Sequence, residues 1–175
     1  HGAPVLIARA LDWAKKQTGK VLTETEVKQV TERFNFYYGE NLCNVSRLYP
    51  NVKETLETLK EKGYVLAVVT NKPTKHVQPV LAAFGIDHLF SEMLGGQSLP
   101  AIKPHPAPLY YLCGKFGFEP RQVLFVGDSK NDIIAGHAAG CAVVGLTYGY
   151  NYNIPIRESN PDWVFDDFAQ LLSIL

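Results

Sequence analysis

The chain has 175 residues, of which 46% are hydrophobic and 11% aromatic, so it is large enough for one ordinary hydrophobic core with a small appended subdomain. Its 17 basic and 17 acidic residues balance and form no long run of either sign, which argues against nucleic acid and membrane surfaces as partners. No apolar run reaches the ~20 residues of a membrane helix. We expect a soluble monomer or homodimer that binds a small molecule.

The cysteines and the chain start bear on the compartment. Cys43, Cys113 and Cys141 are widely spaced, with no CxxC pair and no adjacent histidines of a zinc site. The first eleven residues have no basic leader or small-residue cleavage site, so we expect no signal peptide. These features favour a cytoplasmic protein. Met93 is the only methionine and is internal, so we expect the natural protein to have residues before His1.

The first part of the chain is predicted to be helical. Apolar residues recur at helical spacing over 5–38, with a break at Gly19, and this pattern predicts two helices. Thr23 and Glu26 have the spacing of a capping box at the start of the second helix. We expect a short helical hairpin that forms a partial helical cap over residues 1–47.

After residue 50, helices alternate with short apolar strands. Helices are predicted over 51–62, 75–84, 107–116 and 131–139 and at the end of the chain, and strands over 64–70, 123–127, 142–146 and 163–165. Strands that are apolar throughout are typical of buried parallel sheets. We predict an α/β core over residues 48–175, with a doubly wound, mostly parallel sheet.

A phosphate site is predicted where the first strand ends. Ligands of open parallel sheets bind beyond the carboxyl ends of the strands, where loop N–H groups and helix N-termini converge. Thr70 and Asn71 stand at this position and offer a hydroxyl and backbone N–H groups to an anion. Taken alone, they are explained at least as well as a β-branched strand residue and a turn former.

Two carboxylates follow the second predicted strand of the core. Asp128 stands at its end, and Asp132 lies four residues later in the first helical turn. Both can face one Mg²⁺ ion, which prefers oxygen ligands. Asp128 is the better candidate for a direct ligand, and Asp132 would act indirectly, by hydrogen bonding to the groups that bind the ion. Ser129 and Asp132 also have the spacing of a helix capping box, and the two roles are compatible.

Lys103 lies between these segments in a loop that Pro104 and Pro106 stiffen. Most lysines are solvated surface charges. Lys103 differs because Thr70 precedes it and Asp128 follows it, and a fixed ammonium group there would offset charge on a phosphoryl group and on a nearby carboxylate. The order of the three motifs is the most specific feature of the sequence.

This order resembles the haloacid dehalogenase (HAD) superfamily, over nearly the whole chain. Residues 66–74, 103–106, 124–132 and 145–152 look most like the corresponding segments of bacterial phosphoglycolate phosphatases. The resemblance implies a HAD-like core and Mg²⁺-dependent hydrolysis of a small phosphate ester, 2-phosphoglycolate being the expected substrate. By the resemblance, Thr70 and Lys103 are catalytic, Thr70, Asn71 and Lys103 bind substrate, and Asp128 and Asp132 belong to the metal site.

The nucleophile of that superfamily is missing from these residues. Such enzymes begin with an apolar strand that ends in Asp-x-Asp-Gly-Thr, whose first aspartate attacks phosphorus and whose second is the general acid and base. None of the other aspartates stands in that context: they are Asp12, Asp87, Asp162, Asp166 and Asp167. We expect the absent strand to lie centrally, leaving two unpaired strand edges, and the 175-residue chain to be inactive.

Other interpretations were weighed on the same motifs. A non-catalytic phosphate-binding or interaction module derived from a phosphatase remains the alternative. A phosphoacceptor receiver domain has its aspartate before the threonine and lysine, the reverse of the order here, and no GxGxxG supports a dinucleotide site. Tyr148, Tyr150, Asn151 and Tyr152 either line the mouth of the site or pack their loop against the core, and packing is favoured.

Overall fold

The computed structural model describes the backbone of residues 2–175 and the side chains of residues 5–175, and two long helices are the first elements in this range. Helix α1 spans Gly2–Thr18 and helix α2 spans Glu24–Glu40. The predicted capping box is confirmed, because Thr23 and Glu26 exchange side-chain and backbone hydrogen bonds. No residue of α2 is buried. The division into a cap of residues 1–47 and a core stays a prediction.

The core alternates helices and strands as predicted, and the α/β fold class is confirmed. Its helices are α3 (Val52–Glu61), α4 (Val77–Ala83), α5 (Ala107–Phe116) and α6 (Lys130–Ala139), and its strands are β1 (Ala67–Val69), β2 (Glu92–Leu94), β3 (Leu124–Gly127), β4 (Ala142–Leu146) and β5 (Trp163–Phe165). None of the helices within residues 2–175 combines the length and apolar character needed to cross a membrane.

The strands form two parallel sheets, which agrees with the two unpaired strand edges expected where a strand is absent. Strand β1 pairs with β2, and the second sheet has the order β3-β4-β5. Within residues 2–175 no strand lies between β1 and β3, so each sheet ends at one of these two strands. Side chains connect the sheets instead, because Val69 of β1 packs against the buried cluster that contains Phe125 of β3.

Strand β1 is shorter than the predicted 64–70, and β2 was not predicted. Tyr64 and Val65 are exposed, and the ladder with β2 lasts only three residue pairs. The pairing nevertheless reaches the end of the predicted strand, since the N–H of Thr70 donates to the carbonyl of Leu94 at 2.9 Å. A three-residue strand such as β2 is too short to show a hydrophobic period.

The predicted terminal helix is a six-residue 3₁₀ helix, Phe168–Ser173. Asp167 begins it and accepts a hydrogen bond from the N–H of Ala169 at 2.8 Å. Leu171 of this helix is buried against Val144. So short a helix carries too little periodic pattern to separate a 3₁₀ from an α-helix in the sequence.

Strand β4 packs on both of its faces, because successive side chains of a strand point to opposite faces of the sheet. Val143 packs with Ile133 of α6 on one face. Val144 packs with Leu171 on the other. Val143, Val144 and Ile133 are completely buried. This packing on both faces holds β3, which pairs with β4, and therefore positions the residues that follow β3.

Gly145 of β4 gives a test of this packing. An added Cβ would lie 2.8 Å from Ile156 Cγ1 and 2.9 Å from Pro161 Cγ, so we expect Gly145→Ala to lower the free energy of unfolding by about 1–3 kcal/mol in urea denaturation. Gly114→Ala is the matched control, because it lies in α5 with open space around it and should raise stability by about 0.5–1 kcal/mol. Equal effects of the two changes would contradict the packing.

Candidate functional site

The loop after β1 carries the predicted phosphate-binding residues. Thr70 Oγ1 accepts a hydrogen bond from the N–H of Lys72 at 3.1 Å. The Asn71 side-chain amide donates to the carbonyl of Lys103 at 2.8 Å. On the other side, Gly96 packs so closely that a Cβ there would lie 2.8 Å from the carbonyl oxygen of Asn71. The loop is therefore held between two further segments, and Thr70 and Asn71 have defined positions.

Lys103 connects the two sheets. Its Nζ donates to the carbonyl of Val69 in β1 at 2.6 Å and pairs with Asp132 Oδ1 at 2.7 Å. The side chains are only 13% and 6% exposed, so removing one would leave the other as a nearly buried, unpaired charge. The Lys103–Pro104 peptide is cis, and the ammonium group lies 5.6 Å from the ring centroid of Phe125.

Asp132 also forms the predicted capping interaction at the start of α6. Its Oδ2 accepts the N–H of Ser129 at 3.0 Å and the Ser129 hydroxyl at 2.6 Å. Both carboxylate oxygens therefore have hydrogen-bonding partners, Lys103 on one and Ser129 on the other. A side chain at Gly127 would overlap this carboxylate, so the position needs glycine.

Asp128 lies directly after β3. Its Oδ2 accepts the N–H of Tyr150 at 2.7 Å. Burial raises the pKa of Asp128, the negative charge of Asp132 raises it further, and the Tyr150 hydrogen bond and Lys103 oppose that rise. Gly149 has φ +109°, and a Cβ there would overlap the Asp128 carboxylate. Glycine is thus required where the loop crosses this carboxylate.

The two carboxylates fit a hard cation. In the part of the chain that the structure describes, no group of three or more His, Cys, Asp and Glu side chains is placed to hold a metal. The site instead has two carboxylates, which offer only oxygen ligands. Asp132 pairs with Lys103 and accepts a hydrogen bond from Ser129, and Asp128 is largely buried away from solvent. A nearby Mg²⁺ would stabilise the charged form of Asp128, and its preference for oxygen ligands matches the pair.

Some residues of the tyrosine-rich loop pack the loop against the core, and others are exposed. Tyr148 is half-buried and its ring centroid lies 4.3 Å from that of Tyr49, as packing predicts. Burial, aided by nearby Asp167, raises the pKa of Tyr148 to about 12. Tyr150 is 89% exposed and does not pack. Tyr152 is exposed as well, with the Arg9 guanidinium 5.0 Å from its ring centroid.

The same loop borders an open cavity of about 480 Å³ beside Asp128. Tyr148, Asn151 and Arg157 are among its lining residues. Asn151 is fixed there because its side chain accepts the N–H of Lys130 at 2.9 Å and donates to the carbonyl of Ile154 at 2.8 Å. Tyr148 and Asn151 therefore also line the mouth, in addition to packing the loop.

Two contributors to the site were not predicted from the sequence. The carbonyl of Val69 binds Lys103, and no sequence pattern marks a backbone carbonyl for that role. Gly149 crosses the Asp128 carboxylate. In the sequence, Gly149 is recognisable only as a glycine between two tyrosines in a loop after a strand. A glycine in that position is more commonly a turn residue.

Comparison with known proteins agrees with this geometry. Residues 7–146 match the model of the haloacid dehalogenase-like hydrolases. A phosphoglycolate phosphatase of Haemophilus influenzae is 98% identical over 175 residues, which cover all of this chain and 78% of the relative. One from Pectobacterium atrosepticum is 49% identical, with 100% and 73% covered.

Solved structures share the fold. A crystal structure described as a predicted phosphoglycolate phosphatase from Haemophilus somnus superposes with a TM-score of 0.96 at 77% identity, covering 99% of this chain and 77% of the other. A HAD-superfamily hydrolase from Geobacter sulfurreducens gives a TM-score of 0.68 at 27% identity, with 87% and 68% covered. The family match spans most of the chain, and the motifs that carry the resemblance meet at one edge of the fold; the chain belongs to the haloacid dehalogenase-like hydrolases.

Proposed function

We propose that this chain supplies the phosphate- and magnesium-handling side of a phosphomonoesterase that converts 2-phosphoglycolate to glycolate and phosphate. The observation that carries the proposal is the nearly buried Lys103, which joins the end of β1, beside Thr70, to Asp132 beside Asp128. The named activity of the closely related proteins supports the choice of substrate. We further propose that the protein is cytoplasmic and acts as a monomer or a homodimer.

The chain's own residues would bind and stabilise the phosphoryl group. Phosphoryl transfer depends chiefly on positioning and on stabilising charge, which fixed donors provide. The Thr70 hydroxyl and the backbone N–H groups of the Asn71 loop would hold phosphate oxygens. Lys103 would offset their negative charge, and Asp132 keeps its ammonium group in place through the 2.7 Å ion pair.

Asp128 would be the direct carboxylate ligand of Mg²⁺, and Asp132 would support the site through Lys103 and Ser129. The bound ion would neutralise charge on the phosphoryl oxygens. We propose that an aspartate outside these 175 residues, in an Asp-x-Asp-Gly-Thr segment, forms the aspartyl-phosphate that water then hydrolyses. The alternative of a non-catalytic module is not favoured, because the similar proteins are named as hydrolases.

Turnover should require Mg²⁺. We expect the gene-encoded protein that contains this sequence to release phosphate from 2-phosphoglycolate, to lose activity on treatment with EDTA, and to recover it when Mg²⁺ is restored, in a phosphate-release assay. Asp128→Asn should need more Mg²⁺ for half-maximal activity, since one anionic ligand is lost. Undiminished turnover in chelator contradicts the metal's role, and a protein that binds phosphate but never hydrolyses the ester supports the non-catalytic module.

Lys103 should contribute to the chemical step. We expect Lys103→Met to lower kcat by roughly 10²–10³-fold, because a fixed charge at the phosphoryl group is removed. In the single variant Asp132 would lose its ion-pair partner. The double variant Lys103→Met with Asp132→Asn therefore separates folding from catalysis: it should unfold at a higher temperature than the single variant yet show no higher kcat. Lys62→Met, at the exposed end of α3, is the matched control and should keep full activity.

The 175-residue polypeptide alone should show no turnover. It retains the groups that position and neutralise the phosphoryl group but lacks the proposed nucleophile. The measurement is phosphate release by the purified polypeptide at a concentration at which the gene-encoded protein is readily assayed. Robust hydrolysis by the polypeptide would refute both this prediction and the assignment of the nucleophile to another segment.

A further inference from the structure

A second lysine, Lys72, borders the same strand end and has no part in the phosphate site described above. Its backbone N–H donates to Thr70 Oγ1 at 3.1 Å, and its carbonyl accepts the N–H of Gly96 at 2.7 Å. The backbone of Lys72 is therefore fixed beside the residue proposed to bind phosphate. Its side chain is partly buried, so the ammonium group is not simply a solvated surface charge.

The ammonium group of Lys72 contacts one aromatic side chain, which itself packs against two further rings. It donates a hydrogen bond to the hydroxyl of Tyr38 in α2 and lies 4.8 Å from that ring's centroid. Tyr38 is flanked by Phe34, with centroids 5.7 Å apart, and by His76, with centroids 5.5 Å apart. Burial lowers the pKa of His76, and the charges of Lys75 and Lys72 lower it further, which favours the neutral imidazole.

No carboxylate lies within ion-pairing distance of Lys72 among the side chains that the structure describes, residues 5–175. The other partly buried lysine of the site differs, because Lys103 pairs with Asp132. A partly buried charge without a partner is unfavourable, and such groups are found where a ligand supplies the opposite charge. Lys103 is paired with Asp132 beside the proposed phosphate site, whereas Lys72 has no carboxylate partner among these side chains and can bind a second anionic group of a ligand.

The proposed substrate has a second anionic group. In 2-phosphoglycolate the carboxylate is separated from phosphorus by one ester oxygen and one methylene carbon, so a site that holds the phosphate brings the carboxylate close by. Resting on the proposed function, we infer that Lys72, held by Tyr38, binds the substrate's carboxylate and makes the site selective for short phosphorylated acids.

Tyr38 contributes by restricting the lysine. A lysine side chain has four rotatable bonds and loses conformational entropy when it is fixed on a ligand. Contact with the Tyr38 hydroxyl and ring limits that freedom before substrate arrives. Because Tyr38 belongs to α2, the carboxylate end of the substrate would lie where the helical segment meets the core. An ester without a carboxylate would leave Lys72 unpaired and be disfavoured.

The test compares two substrates in the gene-encoded enzyme with Mg²⁺: 2-phosphoglycolate and ethyl phosphate, which lacks the carboxylate. For Lys72→Met, we expect kcat/KM for 2-phosphoglycolate to fall about 10- to 100-fold more than for ethyl phosphate, the worth of one charge-assisted hydrogen bond. Lys72→Arg keeps the charge and should retain most of the discrimination. Tyr38→Phe keeps the ring but not the hydroxyl, so its discrimination between the two substrates should fall less than that of Lys72→Met.

Lys75→Met is the matched control, since Lys75 is an exposed neighbouring lysine that also faces His76, and it should leave both substrates unaffected. Equal losses on the two substrates in Lys72→Met, or no loss on either, would overturn the inference while leaving the proposed function standing. A wild-type enzyme that fails to hydrolyse 2-phosphoglycolate would overturn the proposed function and this inference with it.

Discussion

The ion pair between Lys103 and Asp132 joins two sheets that share no strand pairing within residues 2–175. Because the same ammonium group also binds the carbonyl of Val69, one side chain sets the end of β1 against the start of α6. Both charges are nearly buried, so each depends on the other for its stability. The separation of Thr70 from Asp128, on which any shared ligand depends, follows from this contact.

Close approach of backbone to the two carboxylates is the second constraint. Gly127 and Gly149 lie where any side chain would overlap Asp132 or Asp128. The result is a compact cluster in which two carboxylates face one lysine. That imbalance, with the raised pKa of Asp128, is the physical reason the cluster suits a divalent cation.

The charges near Lys72, just after β1, are arranged differently from those around Asp128 and Asp132. The Lys72 ammonium group contacts the hydroxyl and ring of Tyr38, which packs against His76, and no carboxylate lies within ion-pairing distance of it in the described side chains. Lys103 is thus paired with a carboxylate of the protein, whereas Lys72 has no such partner among the described side chains. A site with this arrangement suits a ligand that is anionic at both ends, and α2 takes part in recognition through Tyr38.

The sequence by itself determined most of the helices and strands and the capping boxes at Thr23 and Ser129, because apolar period and capping spacing are local properties. Strand-end polarity, also local, marked Thr70 and Asp128 as candidate site residues, and the order of the motifs added Lys103. The sequence did not predict β2 or the 3₁₀ character of the last helix, which are too short for a period. Only the tertiary structure decided the Val69 carbonyl contact and the Tyr38–Lys72 pair. These depend on which distant segments come together, and residue spacing along the chain carries no record of that.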